Sequence, residues 1–323
     1  MNEQQQMLAD MADGLFAELG PKATVAGHWG RIAEAGLTGL LVSDANGGFG
    51  GSWADALLVF RLAGYHALAL PLVEAVVAAR LSGVLDGLGS LAMRCEGVID
   101  NGAFTGTVGG IAWGRDADYV IAAAPDGGAM LLRRGDATVR EGRSIAGEPR
   151  DAWVVERAAC TPIDGIDVAA IGAFVRVAQS AGALDAALAL AVAHVNDRKQ
   201  FGRPLAKFQA VQQSLATLAC EAAAVNCAAL AAAMALDARD ASYAVAAAKT
   251  RAGEAIGEAT AIAHQVHGAI GFTEEYGLHP LTRRLWCWRS EFGGDGHWAS
   301  VLGGRIAAAG PARFWPDLTA IST

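Results

Sequence analysis

Three long runs dominate the second half of the chain and limit what it can become. Residues 174–195, 209–237 and 242–267 are alanine-rich, with larger apolar residues recurring at three-to-four spacing. That spacing lays one apolar stripe along an α-helix and turns it toward a core. The first run is apolar nearly all round, so it predicts a central helix with neighbours on every side. Together with a fourth helix near the C-terminus, the runs predict an antiparallel four-helix bundle over residues 163–323.

The texture differs upstream. Residues 1–90 read as a helical domain with glycine-rich breaks, including a helix over 29–36 ending at a glycine and another over 53–65. Between these lies Asn46-Gly-Gly-Phe-Gly-Gly-Ser52, which has no Gly-Lys-Ser/Thr after it and no complete GxGxxG. It is expected to be a flexible turn, not a phosphate loop. The stretch GAFTGTVGGIAWGRDADYVIAAAPDGGAMLLRRGDATVRE has short apolar runs separated by Asn-Gly, Gly-Gly and Asp-Gly, which are hairpin and turn marks. Residues 91–162 therefore predict a small, shortened β-sheet or barrel. The fold class expected is mainly α, with a helical N-terminal domain, a small β domain and a C-terminal bundle.

Hydrophobic residues make up 53% of the 323, charged residues 18%, and mean hydropathy is +0.29. Such apolarity suits extensive subunit contacts. The net charge of −8 argues against nucleic acid as a partner, since phosphate binding wants a basic surface. The start of the chain is acidic and amphipathic, so no secretory leader is expected, and no apolar run free of polar breaks is long enough for a membrane span. Five cysteines without CxxC or zinc spacing predict buried free thiols in a cytoplasmic protein, and no HExxH marks a metal site.

One junction breaks the helical texture. Asn196-Asp-Arg-Lys-Gln-Phe-Gly-Arg-Pro204 separates the first two bundle helices. It is either an ordinary solvated turn or a cationic corner built to hold an anion.

The order of segments, and the motifs at their joints, resemble the acyl-CoA dehydrogenase family of flavoproteins. Arg198-x-x-Phe201-Gly202-x-Pro204-Leu205-x-x-Phe208-Gln209-x-x-Gln212 is similar to the family signature between the first two bundle helices. Gln265-Val-His-Gly268-Ala-Ile-Gly271-Phe272-Thr-x-Glu275-Tyr276 is similar to its second signature, with Arg283 or Arg284 following. Residues 29–51 resemble the N-terminal segment that ends in a Gly-Gly-x-Gly turn. The resemblance implies that the first motif reaches across a subunit interface to FAD, with the arginine facing the pyrophosphate. Carried over, Arg198, Gln200, Phe201, Leu205 and Phe208 form one half of the cofactor surface. Gln265, Gly268 and Ala269 form the other, Ala269 standing where the family usually has glycine. A guanidinium suits pyrophosphate because its forked donors match the oxygens. The alternative for Arg198 is a local pair with a carboxylate such as Asp197.

Two departures qualify the resemblance. Residues 91–97 run almost at once into 101–107, so the family's Thr-Glu-Pro and Gly-Ser-Asp elements, which lie against the flavin ring and the acyl thioester, are absent. The family's reaction also needs a carboxylate to take the α-proton of an acyl-CoA. Counted without gaps, its usual position falls on Phe292, and an alternative position falls near Gly172. Glu291 is the candidate base, one residue early, which on a helix turns a side chain by about 100°. Its alternative role is a surface or capping carboxylate, and Asp295 is expected to cap a helix. The losses resemble those of one subunit of the family's α2β2 heterotetramers, in which unlike subunits share FAD. The resemblance thus implies FAD-dependent α,β-dehydrogenation of an acyl-CoA by a homo- or hetero-oligomer, dimer or tetramer. A structural subunit that binds no flavin alone, or a homo-oligomer with a relocated base, is the other reading.

Overall fold

The computed structural model, which describes residues 2–135, 137–238 and 241–320, is mainly α, with a seven-stranded β-sheet that follows an N-terminal run of helices in sequence and a two-stranded sheet within the helical second half. The chain divides into two compact units, one of residues 1–56 and 68–175, the other of residues 57–67 and 176–323.

The first unit opens with α1 (Glu3–Leu19), started by a reciprocal cap: Gln5 N donates to the Asn2 side chain at 2.8 Å, and Asn2 N donates to the Gln5 side chain at 3.0 Å. Thr24 caps α2 (Val25–Glu34), which ends before a left-handed Gly36. The glycine-rich stretch that follows is not a flexible turn. Gly50 N donates to Val42 O at 2.7 Å and Gly51 N to Leu40 O at 2.8 Å, so these N–H groups are spent within the chain. A Cβ on Gly48 would lie 2.2 Å from Val42 O, which is why glycine stands there. After α3 (Trp53–Tyr65), shared between the units, comes α4 (Leu72–Ser82).

Seven strands follow: β1 (Gly89–Leu91), β2 (Arg94–Asp100), β3 (Ala103–Ala112), β4 (Tyr119–Ala123), β5 (Ala129–Arg133), β6 (Thr138–Arg140) and β7 (Arg150–Ile163). They order as β1-β4-β5-β7-β3-β2, with β6 also on β7; β1 and β4 are parallel and the other pairs antiparallel. Asn101 and Gly102, both at positive φ, turn β2 into β3 as their type predicts. Gly109-Gly110 does not turn the chain. Gly110, at φ 68, sits in a register shift between β3 and β7, so this signal marks a β-bulge. Phe104, Val108, Ile111, Val120 and Leu132 pack around the buried Trp153, whose Nε1 donates to Gly114 O at 2.9 Å.

Helix α5 (Val168–Asp197) begins in the first unit and continues into the second. It is buried on nearly every side over residues 171–184, as its composition predicts. In the second unit it crosses the end of α3 closely: a Cβ on Gly64 would meet Gln179 O at 1.9 Å, and one on Gly182 would meet Arg61 O at 1.8 Å. Asp185 is fixed there by Arg61 and Asn226, each at 2.9 Å. Next come β8 (Lys199–Gln200), β9 (Arg203–Pro204), α6 (Gln209–Asp237) and α7 (Ser242–His267). The predicted fourth helix is two, α8 (Leu278–Ser290) and α9 (Asp295–Ala309), before α10 (Phe314–Ala320). Helix α7 is the axis against which α6, α8 and α9 pack.

Helices α5 and α6 are long and apolar enough by composition to cross a membrane, which reading for unbroken apolar runs did not register. The apolar window of α5 is 72% buried within the protein, and that of α6 39%. All five cysteines are free, but only Cys287 is buried; Cys220 and Cys227 are exposed on α6.

Candidate functional site

The junction after α5 is a tight β-hairpin. Lys199 and Gln200 pair with Pro204 and Arg203, and Leu205 N donates to Arg198 O at 2.9 Å to close its base. Phe201 and Gly202, at φ 51 and 78, form its tip. Glycine takes that backbone freely, whereas phenylalanine there is unusual. Phe201 is 90% exposed. Its ring meets Phe208 edge-on at 6.1 Å, and the Arg203 guanidinium covers Phe208 at 4.1 Å.

Below the hairpin lies a hollow of about 500 Å³, lined by the last turns of α5, the first turns of α6 and the end of α7. Six of the eight sequence-predicted cofactor residues line it: Arg198, Gln200, Leu205, Gln265, Gly268 and Ala269. Phe201 and Phe208 do not; the hairpin tip packs against Phe208 at the N-cap of α6. The Arg198 side chain is exposed and forms no ion pair among the described residues, so the pairing with Asp197 is not made. Gly268 ends α7 at φ 65, with its N–H on His264 O, and a Cβ there would meet nothing within 4 Å. The backbone conformation therefore selects glycine at 268. Ala269 continues into a short 3₁₀ turn without positive φ, so alanine is tolerated.

Two histidines that the motif comparison did not single out also line the hollow. His194 and His267 stack with ring centres 4.8 Å apart, and Tyr276 meets His267 edge-on at 5.1 Å. Burial, then the neighbouring His267 and Arg198, lower the His194 pKa. His194 sits one helical turn before Arg198, a spacing that could have flagged it. The hollow thus gathers an unpaired guanidinium, two amides, a glycine with open space at its Cα, a half-buried imidazole and a buried one, a donor-rich set of the kind that suits an anion.

Glu291 lies elsewhere. It is not a surface carboxylate: it stands at the C-cap of α8, 7% exposed, with its N–H on Cys287 O, and its Oε2 accepts from Arg176 Nε at 2.6 Å. Arg176, equally buried, also donates to Gln179 Oε1 at 2.6 Å. Phe292, where the resemblance looks for a base, is buried at φ 55 beneath the Arg176 guanidinium, 5.6 Å from ring to charge. Lys249, from α7, donates to Trp288 O and to Arg289 O at the end of α8. Burial, reinforced by Arg176, pushes its pKa down to about 7 against the opposing pull of Glu291. Asp295 is the first residue of α9, whose N-cap position is Gly294; its pairing with Arg289 at 2.9 Å, aided by the first-turn backbone N–H groups of Asp295 and Gly296, holds its carboxyl below the usual range. No cluster of three or more metal-ligating side chains occurs among the described residues.

Residues 168–295 match the family model described as "Acyl-CoA dehydrogenase, C-terminal domain". The acyl-CoA dehydrogenase IpdE2 of Mycobacterium tuberculosis is 30% identical over 312 residues, covering 87% of this chain and 91% of that one. IpdE2 of Mycolicibacterium smegmatis is 31% identical, covering 79% of this chain and 80% of its own. A chain of the ChsE4–ChsE5 complex of Mycobacterium tuberculosis shares the fold, with TM-score 0.85 at 20% identity over 96% of this chain and 99% of that one.

Proposed function

The chain belongs to the acyl-CoA dehydrogenase family of oxidoreductases, and we propose that it acts as one subunit of a hetero-oligomeric dehydrogenase, contributing the diphosphate half of a shared FAD site. The observation that carries this reading is the exposed, unpaired Arg198 guanidinium in a hollow it shares with Gln200, Gln265 and Gly268. Such a cation, beside backbone left open by glycine, suits forked bonding to a diphosphate. FAD, when bound, supplies the two-electron oxidation that forms the α,β double bond of an acyl-CoA. Arg198 and the two amides bind and orient it; Gly268 allows close approach.

The same chain contributes no base. Glu291 is engaged by Arg176 at 2.6 Å, and the family position holds the buried Phe292. Buried at 7% exposure and tied through Oε2 to Arg176, the Glu291 carboxylate is not presented to an open surface where a substrate α-proton could be taken. We assign the base and the flavin-ring pocket to an unlike partner subunit. Membership of a two-component complex in the structurally similar ChsE4–ChsE5 pair supports this assignment. The burial of Glu291 also favours a second reading, a structural subunit that holds no flavin. Expression of the chain alone and together with a family subunit encoded beside it, followed by flavin analysis, separates the two. Our reading expects flavin in the joint complex, held about tenfold or more weakly on Arg198→Ala; the structural-subunit reading expects flavin retention indifferent to position 198.

A further inference from the structure

Helix α6 buries Leu218, Ala222, Val225 and Ala229 and packs on α7; its opposite face is bare among the described residues. Stepping by three and four residues in turn from Gln213 to Asp237, every position reached is exposed. A mean step of about 3.5 residues is the spacing of a coiled-coil seam, the line along which one helix meets another. No exposed residue from Gln209 to Met234 is charged. The one charged group in that span, Glu221, is half-buried and pairs with Arg251 of α7. A helix face left to water is ordinarily charged or polar, and this one is not. The seam is also graded in size. Ala216, Cys220 and Ala223 occupy its first half, whereas Leu230 and Met234, 48% and 60% exposed, end it.

We propose that this face of α6 joins two copies of the chain, packed antiparallel about a two-fold axis midway between positions 223 and 227. A contact of that symmetry requires one patch to complement itself, and reversal of a graded seam does so. Ala216 then meets Met234, Cys220 meets Leu230, and Ala223 meets Cys227, so each small side chain receives a larger or equal one. At both ends the Gln213 amide faces the Asp237 carboxylate. A slip of one heptad would leave Gln213 and Ala216 unused and set Asp237 against Cys220. Parallel packing would crowd Met234 on Met234 and leave voids between the alanines. A lipid surface is a poorer occupant, because α6 has no Lys or Arg to hold anionic headgroups. The pairing does not depend on what the hollow binds. With one unlike subunit on each chain, it makes an assembly of two and two.

Cross-linking in the complex with the unlike subunit tests the register. Cys220→Ser/Ala223→Cys leaves Cys227 opposite the introduced thiol, and mild oxidation should join two copies of this chain. Cys227→Ser/Ala223→Cys keeps two thiols on the seam but out of register, and should stay unlinked, as should wild type. Sedimentation tests the energetics. Ala223→Glu buries a carboxylate in the seam without a partner, so the pairing should weaken by about a hundredfold or more and the mass of the complex fall by half. Undiminished mass in Ala223→Glu overturns the proposal, as does a disulfide to the unlike subunit in place of the homodimer. Binding of wild type to phosphatidylcholine–phosphatidylglycerol vesicles, abolished by Ala223→Glu, would assign the face to lipid and overturn it too. Should Ala223→Glu not fold, the cross-link decides: no homodimer from the facing pair contradicts the interface.

Discussion

Glu291 and Arg176 form a buried ion pair at 2.6 Å, and what each contributes differs from what the pair contributes. Removing one partner strands the other charge in a low dielectric, at a cost of about 3–5 kcal/mol, whereas removing both is far milder. Arg176→Met is thus expected to destabilise the protein by about 3 kcal/mol or more in denaturant melts, with much of that recovered in Arg176→Met/Glu291→Gln. In the assembled complex, Glu291→Gln should leave turnover largely intact; a drop on the order of a thousandfold with flavin retained would make Glu291 the base after all. Lys249 supplies a pH signature. Its pKa falls from the ordinary 10.5 to about 7 on folding, so between those values the unfolded chain binds more protons. Stability should therefore rise with pH from about 7 upward, by as much as about 1.4 kcal/mol per unit, and be least favoured below pH 7. Urea melts of Lys249→Met set against wild type should lack that slope; equal slopes would contradict the burial of a titrating amine. Arg198 was legible because its motif places it in a loop, but Arg176 was not. Within an alanine-rich helix that is buried all round, spacing does not say which polar side chain finds a buried partner.

Long helices were the most legible elements: α6 and α7 span Gln209–Asp237 and Ser242–His267, the limits that their apolar periodicity predicts. Short glycine signals were less so. Gly109-Gly110 reads as a turn locally, yet β3 continues through it as a bulge because its pairing with β7 overrides the dipeptide. The hairpin of β8 and β9 was visible only as a break, since a strand of two residues has no periodicity. Its consequence is a phenylalanine on a left-handed backbone, 90% exposed, beside the hollow proposed for the diphosphate. A large apolar tip held out in this way suits a partner surface. Phe201→Ser is expected to leave the thermal midpoint of the isolated chain within a degree or two while weakening its association with the unlike subunit by about tenfold. Sedimentation of the mixed subunits measures this; undiminished association would place the tip outside the interface.

At the scale of the molecule, two features support the proposal that the chain is one part of a larger enzyme. Its sheet, whose strands β2 and β3 are joined by Asn101 and Gly102 alone, leaves no room there for the segment that in the resembling family lies against a flavin ring. Helix α6, apolar along its length, has only 39% of its apolar window covered within this chain, with Leu230 and Met234 at the surface. Both features fit a subunit completed by another. The helical–β–helical order was legible because each texture has its own period, 3.6 or 2 residues. The incompleteness of the site was legible only as missing motif residues, and the burial of Glu291 not at all, because a partner across the core lies 115 residues away in sequence. The most direct test is flavin content per complex, measured on the chain co-purified with its unlike subunit, wild type against Arg198→Ala. The account predicts flavin in the wild-type complex and binding weakened about tenfold or more in the variant, with association of the subunits preserved. Equal flavin in both, at equal affinity, would contradict it.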